Sequence, residues 1–104
     1  MAVVLIRDTK GPHKFIAMIQ GSGSRGPVSV PFGRKGYSDY TKHKDPERMR
    51  RYLVRHKKRE NWTKSGKMTA GFWSRWILWS RPSLKGAIKQ TEKVLGRRII
   101  FRAK

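Results

Sequence analysis

Twenty net positive charges on 104 residues constrain this chain more than any other feature: 26 lysines and arginines stand against 6 aspartates and glutamates. A surface with about one unmatched cation for every five residues repels itself. The fold must therefore gather its apolar residues into a small core, and the working state is expected to be a complex with a polyanion or with acidic protein surfaces. The length suits one ordinary domain. That domain is expected to span residues 1–104, with strands in 1–35, helices in 45–96, and an edge strand or tail over 97–104. Cysteine is absent, which removes disulfides, thiol nucleophiles and cysteine-bound zinc. No run of residues approaches the apolar length of a membrane span, and residues 1–6 lack the charged leader and cleavage site of a secretory signal. Neither secretion nor a transmembrane segment is expected.

Three segments rich in Val, Ile or Phe, residues 2–7, 14–20 and 28–32, are separated by Gly, Pro and Asp clusters and predict an antiparallel meander. Gly21, Gly23 and Gly26 match the spacing of a dinucleotide-binding loop. Pro27 and a strand follow, however, where that motif requires a helix N-terminus, so the stretch reads as a hairpin loop.

Residues 33–44 read as irregular. Asp45, Pro46 and Glu47 then supply an N-cap, a first-turn proline and a first-turn acid, which predicts a helix over 46–59. Met49, Tyr52, Leu53 and His56 form its apolar stripe. Arg48, Arg50, Arg51, Arg55, Lys57, Lys58 and Arg59 occupy the rest, more cations than the helix dipole alone can use.

Beyond a polar linker, residues 69–79 hold Phe72, Trp73, Trp76 and Trp79, with Thr69 as N-cap of a short helix. Helical spacing puts Phe72, Trp76 and Trp79 on one face, suited to the core. Trp73, and Trp62 from the linker, are left for an exposed role. Arg81, Pro82 and Ser83 break that helix and cap a last one over 84–95, with Leu84, Ala87, Ile88, Thr91 and Leu95 inward and Gly96 as its stop. Residues 98–102 are β-rich and suit an edge strand. The fold class is thus α+β: a small N-terminal antiparallel β-meander followed by two or three short helices.

Six scattered acids and three histidines offer no nucleophile beside a base and no carboxylate pair. His43 with Asp45, and His56 with Glu60, each supply two metal ligands where a stable site needs three or four. The expectation is a protein that is not an enzyme, with no cofactor, no metal and no small-molecule substrate. The residues expected to meet a polyanion or an acidic partner are Arg48, Arg50, Arg51, Arg55, Lys57, Lys58, Arg59, Trp62, Trp73 and Arg75.

Residues 36–79 carry Tyr37-Ser38-Asp39-Tyr40, His43-Lys44-Asp45, the basic helix, Glu60-Asn61-Trp62-Thr63-Lys64 and Ala70-Gly71-Phe72-Trp73-Ser74-Arg75-Trp76. This stretch resembles a family of small basic proteins of unknown function from large nucleocytoplasmic DNA viruses, and the likeness continues more loosely into residues 82–88. The resemblance implies a viral origin and no particular activity. The leading expectation is a structural component of the virus particle, a minor capsid or cement protein bridging acidic capsid subunits. It would reside in the virion and, during assembly, in the host cytoplasm or nucleus. The alternative is a sequence-nonspecific binder of viral DNA or RNA that serves genome packaging or RNA assembly.

Overall fold

A computed structural model describes residues 2–20 and 27–102. In it the three apolar segments form β1 (Ala2–Arg7), β2 (Phe15–Gln20) and β3 (Val28–Phe32). Antiparallel pairing sets Val3 opposite Ile19, Leu5 opposite Ala17, and Phe15 opposite Phe32. The glycine-rich loop of residues 21–26 lies outside the described residues. Because side chains alternate across a strand, Val3, Leu5, Phe15, Ala17, Ile19, Val30 and Phe32 share one buried face. Val4, Ile6, Ile16 and Met18 take the other face and stay partly exposed.

The expected meander is present, and a fourth strand makes the sheet mixed. β4 (Ile99–Arg102) pairs parallel with β1, with Val3 opposite Ile99, giving the order β3-β2-β1-β4. A parallel neighbour needs a long crossover, and all the helices lie within it.

Local chemistry sets most helix boundaries. A short helix, α1 (Tyr40–His43), lies in the stretch that reads as irregular; buried Asp39 caps it by accepting from the backbone N–H of Thr41 at 3.0 Å. In α2 (Pro46–His56), Asp45 accepts from the N–H of Glu47 at 2.9 Å. This helix stops three residues before the expected end, so Lys57, Lys58 and Arg59 lie in a turn instead. That turn brings Glu60 back to the ring of His56, 3.1 Å away, and to the indole N–H of Trp62 at 2.8 Å. A single 3₁₀ turn (Lys64–Gly66) follows. The last helix, α4 (Leu84–Leu95), has Ser83 as its cap and ends at Gly96, whose φ of 69° favours glycine.

The tryptophan segment departs from its expected face. After α3 (Ala70–Trp73), capped by Thr69, the chain widens into a π-helical turn (Ser74–Leu78). An α-helix groups residues three and four apart, whereas a π turn bonds residue i to i+5. Accordingly the buried residues are Phe72 with Ile77 and Trp73 with Leu78, each pair five apart. Trp76 and Trp79 rotate to the flank and are only partly buried. The exposed role expected of Trp73 is therefore corrected, since its exposure is 0%. Its ring lies 6.2 Å from Phe32 and 5.4 Å from Phe72, and its indole N–H donates to the carbonyl of Lys67 at 2.6 Å.

Replacing Trp73 with Ala is expected to lower stability by about 3–5 kcal/mol, as for large rings removed from cores. Urea unfolding measures this, and a loss under about 1 kcal/mol would take Trp73 out of the core.

Candidate polyanion interface

The inner side of α2 is held by rings. Tyr52, its one buried side chain, lies on Trp79 with centroids 4.2 Å apart and planes 4° from parallel. His56 stacks on Tyr52 at 4.2 Å, while Trp79 meets His43 at 5.3 Å and His43 meets Tyr40 at 6.1 Å. Five rings thereby connect α2 to the π turn and to α1. Burial, helped by the Glu60 carboxylate, drives the Tyr52 hydroxyl far above its ordinary range, so it stays neutral.

All seven cations expected on the outer side are exposed. Arg48, Arg51 and Arg55 follow one another at i, i+3 and i+7 along one flank. Arg50 pairs with Glu47 in an exposed contact that contributes little to stability. Lys57, Lys58 and Arg59 extend the cationic run past the helix end. The neighbouring acids are occupied: Asp45 caps the helix, and Glu60 holds His56 and Trp62. Val54, 75% exposed, sits in a shallow hollow with Arg50, Arg51 and Arg55.

Trp62 and Arg75 come together, while Trp73 stands apart from them in the core. The Arg75 guanidinium lies 4.2 Å from the ring centroid of Trp76 and 5.3 Å from that of Trp62. It donates to the carbonyl of Trp79 at 3.2 Å, and its buried Nε has no partner among the described residues. Burial shifts its pKa downward, and no carboxylate pairs with it among the described residues. Trp62 itself is half-buried, its carbonyl accepting from the indole N–H of Trp76 at 2.8 Å.

Two further residues join this surface. A groove of about 500 Å³ between residues 33–39 and α2 contains Arg34 and Tyr37 beside Arg55 and His56. Tyr37 is 68% exposed. Its signal in the sequence is an aromatic residue among Gly, Ser and Asp, where a ring has no core to fill.

Both histidine–acid pairs have structural uses. His43 Nδ1 accepts from the backbone N–H of Asp45 at 2.9 Å, and His56 is engaged with Glu60. Among the described residues, no three His, Cys, Asp or Glu side chains group together as metal ligands. Nor, among those residues, is any helix long and apolar enough to cross a membrane.

Residues 3–56 match a family of unknown function (DUF5754). No curated protein and no solved structure matches the chain. The matched stretch runs from the first strand to the end of the arginine helix and stops short of the tryptophan segment.

Burial, and next the nearby charge of Arg48, lowers the pKa of His43 below 6.5. Protonation would also place an N–H against the N–H of Asp45. The unfolded chain therefore takes up this proton more readily than the folded one, and stability is expected to fall as pH drops from 7 to about 5. Urea unfolding across that range checks it. His43→Gln, which retains an acceptor for Asp45, is expected to flatten the dependence; an unchanged slope in the variant would assign it to other groups.

Proposed function

The chain belongs to this family of unknown function (DUF5754), and we propose that it is a non-enzymatic, cationic protein of a large DNA virus particle that binds nucleic acid through phosphate contacts with little preference for sequence. The observation that carries this reading is the division of α2, with its ring contacts turned inward and its four exposed arginines, continued by Lys57, Lys58 and Arg59 in the turn that follows, in solvent. Exposed Arg and Lys side chains neutralise phosphates and release counterions whatever the base sequence. Tyr37 beside Arg34 and Arg55 supports the same reading, because an exposed ring next to cations suits stacking on unpaired bases. The resemblance over residues 36–79 is what supports the proposed viral setting, with the virion, and the host cytoplasm or nucleus during assembly, as the proposed location.

A second reading, a minor capsid or cement protein bridging acidic subunits, retains one specific observation. Arg75, held between Trp62 and Trp76 with no carboxylate paired to it among the described residues, is the kind of cation that anchors an acidic protein surface. With Trp73 in the core, however, that reading has lost one of its two expected exposed tryptophans.

Fluorescence anisotropy of a labelled DNA duplex, repeated across salt concentrations, tests the proposal. Affinity is expected to fall steeply, with a slope in log[salt] of about −0.9 for each phosphate contacted. Arg51→Glu combined with Arg55→Glu should weaken binding to all sequences alike and reduce the slope by about two. A slope near zero, or no effect of the double variant, would overturn the nucleic-acid reading. If, in addition, the protein stayed with nuclease-treated particle shells in a manner that Arg75→Ala abolished, bridging would take its place.

A further inference from the structure

A second concentration of charge lies away from α2. Where the turn after β1, the start of β2, α1 and the beginning of α4 meet, there is a cavity of about 500 Å³. Its walls carry five cations, Arg7, Lys14, Lys35, Lys42 and Lys44, and two carboxylates, Asp8 and Asp39.

Both carboxylates are occupied inside the protein. Asp8 accepts backbone N–H groups from Gly11 at 2.7 Å, His13 at 3.2 Å and Lys10 at 3.3 Å. These bonds, Gly11's foremost, hold its carboxyl below the usual carboxylate range. Asp39, 1% exposed, is ion-paired with Lys14 and caps α1 through Thr41.

Three of the remaining four cations, Lys35, Lys44 and Arg7, are positioned by neutral groups. Lys35 Nζ donates to the carbonyl of Gly11 at 2.8 Å. Lys44 Nζ donates to the carbonyls of Thr41, at 3.1 Å, and Pro82. The guanidinium of Arg7 lies over the rings of Phe15 and Phe101, at 5.2 and 5.6 Å from their centroids. Carbonyls and rings fix where these charges sit without cancelling them. Lys42, on α1, forms no salt bridge among the described residues. Five cations less two carboxylates leave three charges unmatched around one hollow.

Like charges converging on a cavity repel one another, and an anion seated between them reverses the sign of that interaction. Groups already held in place lose little freedom when it binds. We propose that this cavity is a binding site for a phosphate group carrying two or more charges, as in pyrophosphate, a nucleotide's terminal phosphate or the phosphorylated end of a strand. A single carboxylate carries too little charge to match the lining, and ammonium groups arriving from several directions suit a centre that offers oxygens on all sides.

Calorimetric titration of the full chain with pyrophosphate at fixed ionic strength tests the site. One saturable site is expected, weakened about tenfold or more by Lys42→Glu. Lys93→Glu, an equal change of net charge on the exposed side of α4, is expected to leave affinity within about twofold. Both lysines are exposed, so neither variant burdens the core. Pyrophosphate binding should also survive Arg51→Glu with Arg55→Glu, which separates this site from the arginine helix. Equal weakening by Lys42→Glu and Lys93→Glu would mean diffuse attraction to a cationic surface and would overturn the proposal, as would the lack of saturable binding. Competition then separates the sources: displacement of pyrophosphate by a 5′-phosphorylated oligonucleotide, and not by its 5′-hydroxyl form, points to a strand end. Displacement by a nucleoside diphosphate alone points to a free nucleotide.

Discussion

The arginine helix depends on Tyr52 lying flat against Trp79. An eleven-residue helix is marginal on its own in water, and α2 also carries arginines at spacings where like charges repel. Its one buried side chain is Tyr52, so docking rests on that ring with support from the partly buried Met49, Leu53 and His56. A stacked aromatic pair contributes about 0.5–1.5 kcal/mol beyond the area it buries. His56 on one side and the Trp79–His43–Tyr40 run on the other extend the contact into a column. Inward aromatics thus allow outward cations, and the two halves of the helix follow from one contact.

Beside the apolar core shared by sheet and helices, a polar connection ties α1 to the sheet. Lys14, at the entrance to β2, reaches Asp39, the cap of α1, and both are nearly excluded from solvent. A buried ion pair gives little net stability, because desolvation offsets most of the attraction, but losing one partner strands the other charge. Its role is positional, fixing α1 against the sheet and with it one wall of the cation-lined cavity. At the far end of the chain, Glu92 of α4 accepts from the backbone N–H of Ile99 at 2.8 Å, seating β4 at the parallel edge beside β1.

Features governed by short-range rules were legible in the sequence. β1, β3, the caps Asp45, Thr69 and Ser83, and the stop at Gly96 lie where alternation and capping chemistry put them. The misplacements trace to tertiary geometry. A 3.6-residue period leaves Trp73 off the core face, whereas the buried pairs of this segment are five apart. The helix expected to reach Arg59 ends at His56, where the chain turns so that Glu60 can bond His56 and Trp62. In the interface, the exposed cations of α2 were readable as a run along one helix. The contact between Trp62 and Arg75 joins residues thirteen apart and needed the fold to appear. The second cationic cluster had no linear signal: Arg7, Lys14, Lys35, Lys42 and Lys44 come from separate places in a chain where lysine and arginine are common.

The two clusters differ in how they hold charge, and that difference decides what each can recognise. Along α2 the arginines extend into solvent and keep most of their rotamer freedom, so they adjust to phosphates at varied spacings. Adjustability suits a long polyanion read without regard to sequence, and charges spread in this way are well screened by salt. Around the cavity, carbonyls hold Lys35 and Lys44, rings hold Arg7, and Asp39 holds Lys14. Fixed charges discriminate by shape and charge number, since an anion of the wrong geometry gains less from groups that cannot follow it. A net charge of +20 accounts for attraction to any polyanion; selectivity for one kind of phosphate has to come from those cations the fold has already immobilised.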